Sequence, residues 1–138
     1  MSGKYVLDVC SVIAYLAKED GSDIIETLIN DAIDSETEVL MHKINFFEVF
    51  YDTWRSQGEA TAVTVYELFK KLPVKIIDSI SDELMTEAAR LKNGYHMSVA
   101  DSFALASAKL NCAALVTSDH HEFGPVEKSE GIAFLWIR

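Results

Sequence analysis

The sequence predicts an α/β fold, a three-layer α/β/α sandwich around a central five-stranded parallel sheet. Three observations carry that expectation. Short β-rich runs alternate along the chain with longer segments of helical periodicity. No linker, repeat or low-complexity tract interrupts the 138 residues, which suits one domain over residues 1–138. Hydrophobic residues make up 49% of the chain, enough for a continuous core at this size.

A first strand is predicted at Tyr5-Val6-Leu7. Residues 11–18 read as a helix that buries Val12, Ile13, Tyr15 and Leu16. Gly21-Ser22-Asp23 opens a second helix, in which Ile24, Ile25, Leu28, Ile29, Ala32 and Ile33 recur at helical spacing. Glu38-Val39-Leu40-Met41 gives the second strand. A third helix over residues 45–56 and a fourth over 59–72 meet at Gly58. Pro73 stops the fourth, because its ring removes a backbone donor. Val74-Lys75-Ile76-Ile77 is the third strand. Ser81-Asp82-Glu83 caps a helix ending near Asn93-Gly94. Ser98 opens another, running to about Leu110. Residues 113–116 form the fourth strand and 132–136 the fifth. Strands separated by helices imply parallel pairing, and in such sheets sites form beyond the carboxyl ends of the strands, near a switch in strand order.

The charge balance is acidic, −10 overall, which argues against binding nucleic acid through a broad basic patch. The acid is uneven. Glu19 to Glu38 holds eight acidic residues and no Lys or Arg, the pattern of a solvated helix face, while most basic residues fall between Arg55 and Lys109. Met1-Ser2-Gly3-Lys4 leads into only a short apolar run before Asp8, so no secretory signal is expected. The most apolar long stretch, residues 99–116, contains Asp101, Lys109 and Asn111 and is no membrane span. Cys10 and Cys112 make neither a metal spacing nor a disulfide framework, so a reducing, cytoplasmic setting is expected.

Four carboxylates stand out. Asp8 follows the first strand, where an aspartate also serves as a helix cap. Glu48 sits on the flank of a helical face formed by Ile44, Phe47, Tyr51 and Trp54, as either a boundary glutamate or a paired one. Asp101 is the fourth residue of Ser98-Val99-Ala100-Asp101, a capping-box spacing. The small residues after it, Ala104, Ala106 and Ala108, suit a helix lying close on the sheet. Asp119 follows Ala114-Leu115-Val116-Thr117-Ser118 and has the same cap alternative. Each acid alone has a structural explanation. Three of the four, however, fall at element ends predicted on one sheet edge. Close carboxylates repel unless a cation sits among them, and an all-oxygen ligand set points to Mg2+ or Mn2+. Such an ion lowers the pKa of bound water and stabilises charge on a phosphodiester.

Other candidates are weaker. His120-His121-Glu122 reads as a solvated loop, because adjacent histidines lack the spacing of metal ligands on one helix face. Thr117 is suited either to orienting Asp119 or a water, or to strand-end packing. Phe46, Phe47, Phe50, Tyr51 and Trp54 read as core and dimer contacts rather than a base-stacking platform. Cys10 has no His at a spacing that would make it a nucleophile.

Taken together, these residues resemble the PIN domain, specifically VapC-type toxins of prokaryotic toxin–antitoxin pairs, over nearly the whole chain. The opening from Tyr5 to Leu16 is similar to the family's first strand, acid and helix. Glu48-Val49-Phe50 resembles its helix glutamate. Residues 98–108, then Leu115-Val116-Thr117-Ser118-Asp119 and Phe123, give the strongest likeness, and residues 131–137 look like its final strand. The resemblance implies an endoribonuclease dependent on Mg2+ or Mn2+, with Asp8, Glu48, Asp101 and Asp119 as catalytic and metal-binding residues. It also implies RNA as substrate, a homodimer, and inhibition by a small antitoxin that inserts a segment near the acids. Val9 and Cys10 follow Asp8 where the family often has hydroxyl or amide residues. Lys43, Arg55 and Arg90 are candidate contacts to the RNA backbone. Two other readings stay open on the residues: a receiver-type signalling module with Asp78 as phospho-acceptor, and a non-catalytic protein-interaction domain. Position 10 is Cys, which disfavours a phosphatase with aspartates two apart.

Overall fold

The computed structural model describes residues 3–34 and 36–138. Met1 and Ser2, which open the stretch read above for a targeting signal, lie outside them, as does Ser35. The elements run β1 (Gly3–Leu7), α1 (Val9–Ala17), α2 (Ser22–Ile33), β2 (Thr37–His42), α3 (Lys43–Gln57), α4 (Glu59–Phe69), β3 (Lys75–Ile77), α5 (Asp82–Gly94), α6 (Val99–Leu110), β4 (Ala114–Thr117), α7 (His120–Glu130) and β5 (Phe134–Trp136). Among the described residues the sheet has five strands, all parallel, in the order β3-β2-β1-β4-β5. The expected α/β/α sandwich with a parallel five-stranded sheet is therefore present.

Alternation along the strands builds the layers, because successive side chains of a strand point to opposite faces. Tyr5 and Leu7 of β1, Val39 and Met41 of β2, and Val116 of β4 face one core. There they meet Val12, Ile25, Leu28, Phe46, Val49 and Phe69 from α1 to α4. Val6, Leu40 and Leu115 face the other, with Leu84, Leu91, Leu105, Phe123 and Val126 from α5, α6 and α7. Buried Ala104, Ala106 and Ala108 let α6 lie close to the sheet, as their size requires. Burial of each large aliphatic or aromatic side chain contributes about 1.5–3 kcal/mol. Among the described residues no helix is long and apolar enough to cross a membrane.

Three expectations are corrected. Residues 120–130 are helical rather than a loop. The sequence conceals this helix because Gly124 and Pro125 lie inside it. It forms because Asp119 caps its first turn and because Phe123 and Val126, three residues apart, are both fully buried. On α3 the buried residues are Asn45, Phe46 and Val49, so of the aromatics read as core and dimer contacts, Phe47, Tyr51 and Trp54 are not core and stand in solvent, Phe47 with 63% of its surface exposed. Leu16 and Ile33 also lie exposed rather than inside. The chain end folds back over the turn after α1: Gly21, at φ +94°, lies so close to Ile137 that a Cβ there would stand 2.5 Å from its carbonyl oxygen.

Candidate active site

The strand order reverses between β1 and β4, which are hydrogen-bonded neighbours. Their carboxyl ends deliver Asp8 and Asp119 to one edge, as the sequence predicted. The N-terminal turn of α6 adds Asp101. Asp8 and Asp119 are N-caps and Asp101 closes the capping box of Ser98, so the structural explanation of each is correct. Asp8 Oδ1 accepts from the Ser11 amide at 2.8 Å and, with the Ser11 hydroxyl bonded back to the Asp8 backbone, forms a capping box on α1. Asp101 Oδ2 accepts from the Ser98 amide at 3.3 Å in a second box on α6. Asp119 Oδ1 accepts from the Glu122 amide at 3.1 Å and caps α7.

The caps do not exclude a functional role, because the capped carboxylates still act electrostatically on one another. Each acid, fixed in its rotamer by its cap, lies in the field of the next. Burial pushes the Asp8 carboxyl up to about 6, against hydrogen bonds from Thr117 and Ser11 that lower it, and the charge of Asp101 adds to the rise. Burial also raises Asp101, with Asp119 and Glu122 adding to it. The Cys10 thiol, pushed up to about 12 by burial and then by Asp8, Asp119 and Asp101, registers all three acids. It stays protonated at neutral pH, which removes it as a nucleophile.

Two residues complete the arrangement. Thr117, at the end of β4, donates its hydroxyl to Asp8 Oδ2 at 2.5 Å and accepts from the Asp119 amide at 3.1 Å. One side chain thus holds two of the acids, which decides between the roles weighed for it. Glu122, half-buried on the first turn of α7, adds a fourth negative charge beside Asp101 and has His96 3.9 Å away. Sequence reasoning passed over Glu122 because α7 was unseen. Its only signal is the Asp119-x-x-Glu122 spacing of a capped helix start. The positive ends of α1, α6 and α7 all point at this cluster, which partly offsets its charge and favours an incoming anion.

Glu48 is not among the charges acting most on Asp8 or Asp101. It lies exposed in the second turn of α3. One turn earlier, on the same side, Asn45 is fully buried with neither amide atom hydrogen-bonded. Asp78 is exposed after the edge strand β3, which β2 separates from β1, so no acid pair forms for a receiver-type site. Of the candidate cations, Arg90 is held by Glu87 and Glu130 at 2.6 Å each, and Arg55 by Asp52. Lys43 has no ion pair among the described residues.

These residues fit a divalent cation of the hydrated kind. Among the described residues no three His, Cys, Asp or Glu side chains form a group that could by itself hold a metal. Mg2+ needs only one or two carboxylates and keeps several waters. Asp101 Oδ1 and Asp119 Oδ2 are left unused by the caps. The Asn45 amide, in the helical turn that follows the carboxyl end of β2, is a buried polar group without a hydrogen-bond partner among the described residues, which a bound water would satisfy.

The sequence profile of the PIN domain family matches residues 5–127. No curated protein matches the chain. Among solved structures it is similar to VapBC2 from Rickettsia felis, bound to a DNA fragment from their promoter. That likeness has a TM-score of 0.73 at 18% identity, over 96% of this chain and 97% of that one. It is also similar to DNA-bound VapBC from Salmonella typhimurium, with a TM-score of 0.71 at 19% identity over 100% of both chains. The sarcin-ricin-loop-cleaving toxin VapC20 of Mycobacterium tuberculosis shares the fold at a TM-score of 0.65 and 12% identity, over 88% of this chain and 94% of that one. At such identities the structures speak for the fold alone. The sequence match spans the caps, the paired strand ends and Asp8, Glu48, Asp101, Asp119 and Glu122, and on it the chain belongs to the PIN domain family.

Proposed function

We propose that this chain is a divalent-metal-dependent endoribonuclease, the toxin of a toxin–antitoxin pair, with Asp8, Asp101, Asp119 and Glu48 as its metal-binding and catalytic carboxylates. One observation carries the reading: Asp8, Asp101 and Asp119, from three distant parts of the chain, are held in one another's field at the point where the strand order reverses. Membership of the PIN domain family supports it, as does the shared fold with a toxin that cleaves the sarcin-ricin loop.

Mg2+ or Mn2+, when bound, supplies an activated water and offsets charge on the phosphodiester in the transition state. The protein's part is positioning and charge. Ser11 and Thr117 fix both oxygens of Asp8. The Ser98 and Glu122 amides fix Asp101 and Asp119 through one oxygen each. The amino ends of α1, α6 and α7 draw the phosphate to an edge that the acids alone would repel. Asp101, raised from its ordinary value by burial and only half-buried, is a candidate proton acceptor at this edge. Glu48 is included on the family likeness rather than on its position, since it lies exposed on α3, one turn after the buried Asn45.

The antitoxin reading has its own support. The exposed face of Phe47, Tyr51 and Trp54 adjoins an apolar cavity of about 200 Å3 lined by Lys43, Phe46, Phe47, Phe50 and Tyr66. Exposed Ile80, Met85 and Leu110, on the other side of the molecule, are suited to a homodimer contact.

The test is incubation of defined RNAs with the protein and Mg2+ or Mn2+, against Asp8→Asn and Asp101→Asn variants shown to be folded by circular dichroism. Cleavage is expected to need the ion. It should fall by more than about a hundredfold in each variant, since even the outer partners of a metal site are worth about 10- to 100-fold. Cleavage that persists in both variants, or in EDTA, would sink the proposal.

A further inference from the structure

The residue after Asp119 begins a feature that neither the core nor the acid cluster requires. The His120 ring lies flat on the Trp136 indole, with centroids 3.9 Å apart and planes 13° apart. The indole in turn lies on Phe134, at 5.2 Å and 11°. Three nearly parallel rings therefore lead from the outer strand β5 to the edge that carries the acids. Polar contacts fix the stack. The His120 Nε2 donates to the Arg138 carbonyl at 2.8 Å, and the Trp136 Nε1 donates to Glu127 at 2.9 Å. The Arg138 guanidinium is tied in turn to Glu19 and to the Asp20 carbonyl. Phe134 also meets Phe123 of the core, at 6.0 Å. Burial falls along the series: Phe134 and Trp136 are half-buried, and His120 is exposed.

An exposed histidine ordinarily samples several rotamers. This one is held flat by a ring beneath it and a hydrogen bond at its edge. Unpaired bases of single-stranded RNA bind by stacking on such rings, His among them. Stacking needs no cation, and that matters for a chain of net charge −10 whose Arg55 and Arg90 are already paired. A nucleotide whose phosphate rests at the acids has its base within reach of the residue next to Asp119.

We propose that the open face of His120, at the end of the His120–Trp136–Phe134 stack, receives an unpaired nucleobase of the RNA beside the phosphate to be cut. This rests on the ribonuclease reading and adds how the substrate is gripped. His120 is a positioning residue. It holds the base, and it takes no part in the bond changes at phosphorus.

The chain has two tryptophans, so Trp54→Phe leaves Trp136 as the sole indole reporter. Fluorescence is titrated with a short single-stranded oligoadenylate in EDTA, which blocks cleavage, and with the same strand carrying abasic positions. Oligoadenylate should quench Trp136 saturably, and the abasic strand should bind about tenfold more weakly, the order expected for one stacked base. His120→Ala should lose that same factor at an unchanged Tm, and His120→Phe should restore it. In Mn2+, His120→Ala should raise KM for cleavage and leave kcat near native. Equal affinity for intact and abasic strands, or native KM and affinity in His120→Ala while the native chain cleaves RNA, would overturn this inference and leave the ribonuclease reading standing. A native chain that neither binds nor cleaves any RNA would overturn both.

Discussion

Asp8 sits almost wholly out of water, 1% exposed, and keeps its charge against burial. Its carboxyl, ordinarily near 3.8, is raised to about 6, so the folded chain holds the proton over a range where the unfolded chain has released it. The stability gained from the protonated form is fully present below about pH 4 and is lost as pH rises through about 6. At 1.36 kcal/mol per pKa unit the loss is about 3 kcal/mol. Asp8→Asn cannot ionise, and its amide still accepts from the Ser11 N–H. In EDTA at pH 7 that variant should therefore melt several degrees above the native chain, with the gap closing towards pH 4. A native chain that melts higher than the variant at pH 7 without ions would contradict the assignment. The sequence showed Asp8, Asp101 and Asp119 as residues with a choice between cap and ligand. It could not show that capping leaves the three acids in one another's field, because the caps are local while the mutual field depends on packing. Thr117, which bridges to Asp119, reaches Asp8 across 109 positions, a link that no spacing along the chain reveals.

At the scale of elements, the start of α3 decides how Asn45 and Glu48 are presented. His42, fully buried, caps that helix: its Nδ1 accepts from the Ile44 amide at 3.0 Å, and its Nε2 donates to the Ser79 carbonyl at 3.0 Å. The cap needs Nδ1 unprotonated. Burial lowers the His42 pKa below its usual 6.5, partly opposed by the Ser79 bond and by Asp78. The stability this gives is present above pH 6.5 and is lost as pH falls through the lowered folded value. His42→Asn keeps an acceptor for Ile44 and does not titrate in this range. Thermal melts from pH 7.5 down to 5 should show the native chain losing stability relative to that variant, while a parallel decline would remove His42 as the cause. The strands and the helices α1 to α6 were legible because their period and caps are written locally. Helix α7 was not, since Pro125 and Gly124 oppose it and the Asp119 cap with the burial of Phe123 and Val126 sustains it. The aromatic face of α3 misled for the opposite reason. Periodicity finds a face but does not say whether it meets this core or another molecule, and here Phe47, Tyr51 and Trp54 point outward.

On the proposed reading, the whole molecule would reconcile an acidic chain with a polyanionic substrate by confining attraction to one edge. There the amino ends of three helices converge on three aspartates, and a hydrated cation would supply the positive charge that the composition lacks. The strand order that creates this edge could be anticipated from alternating strands and helices, yet only the pairing of β1 with β4 brings Asp8 and Asp119 together. Everything then depends on whether the edge takes up an ion. Calorimetric titration of Mn2+ into the native chain at pH 7.5, beside folded Asp8→Asn and Asp101→Asn variants, asks that directly. Binding of a single ion by the native chain, weakened more than about tenfold in each variant and also weakened by proton competition below about pH 6, is the expected result. No binding by the native chain, or equal binding by all three proteins, would contradict it.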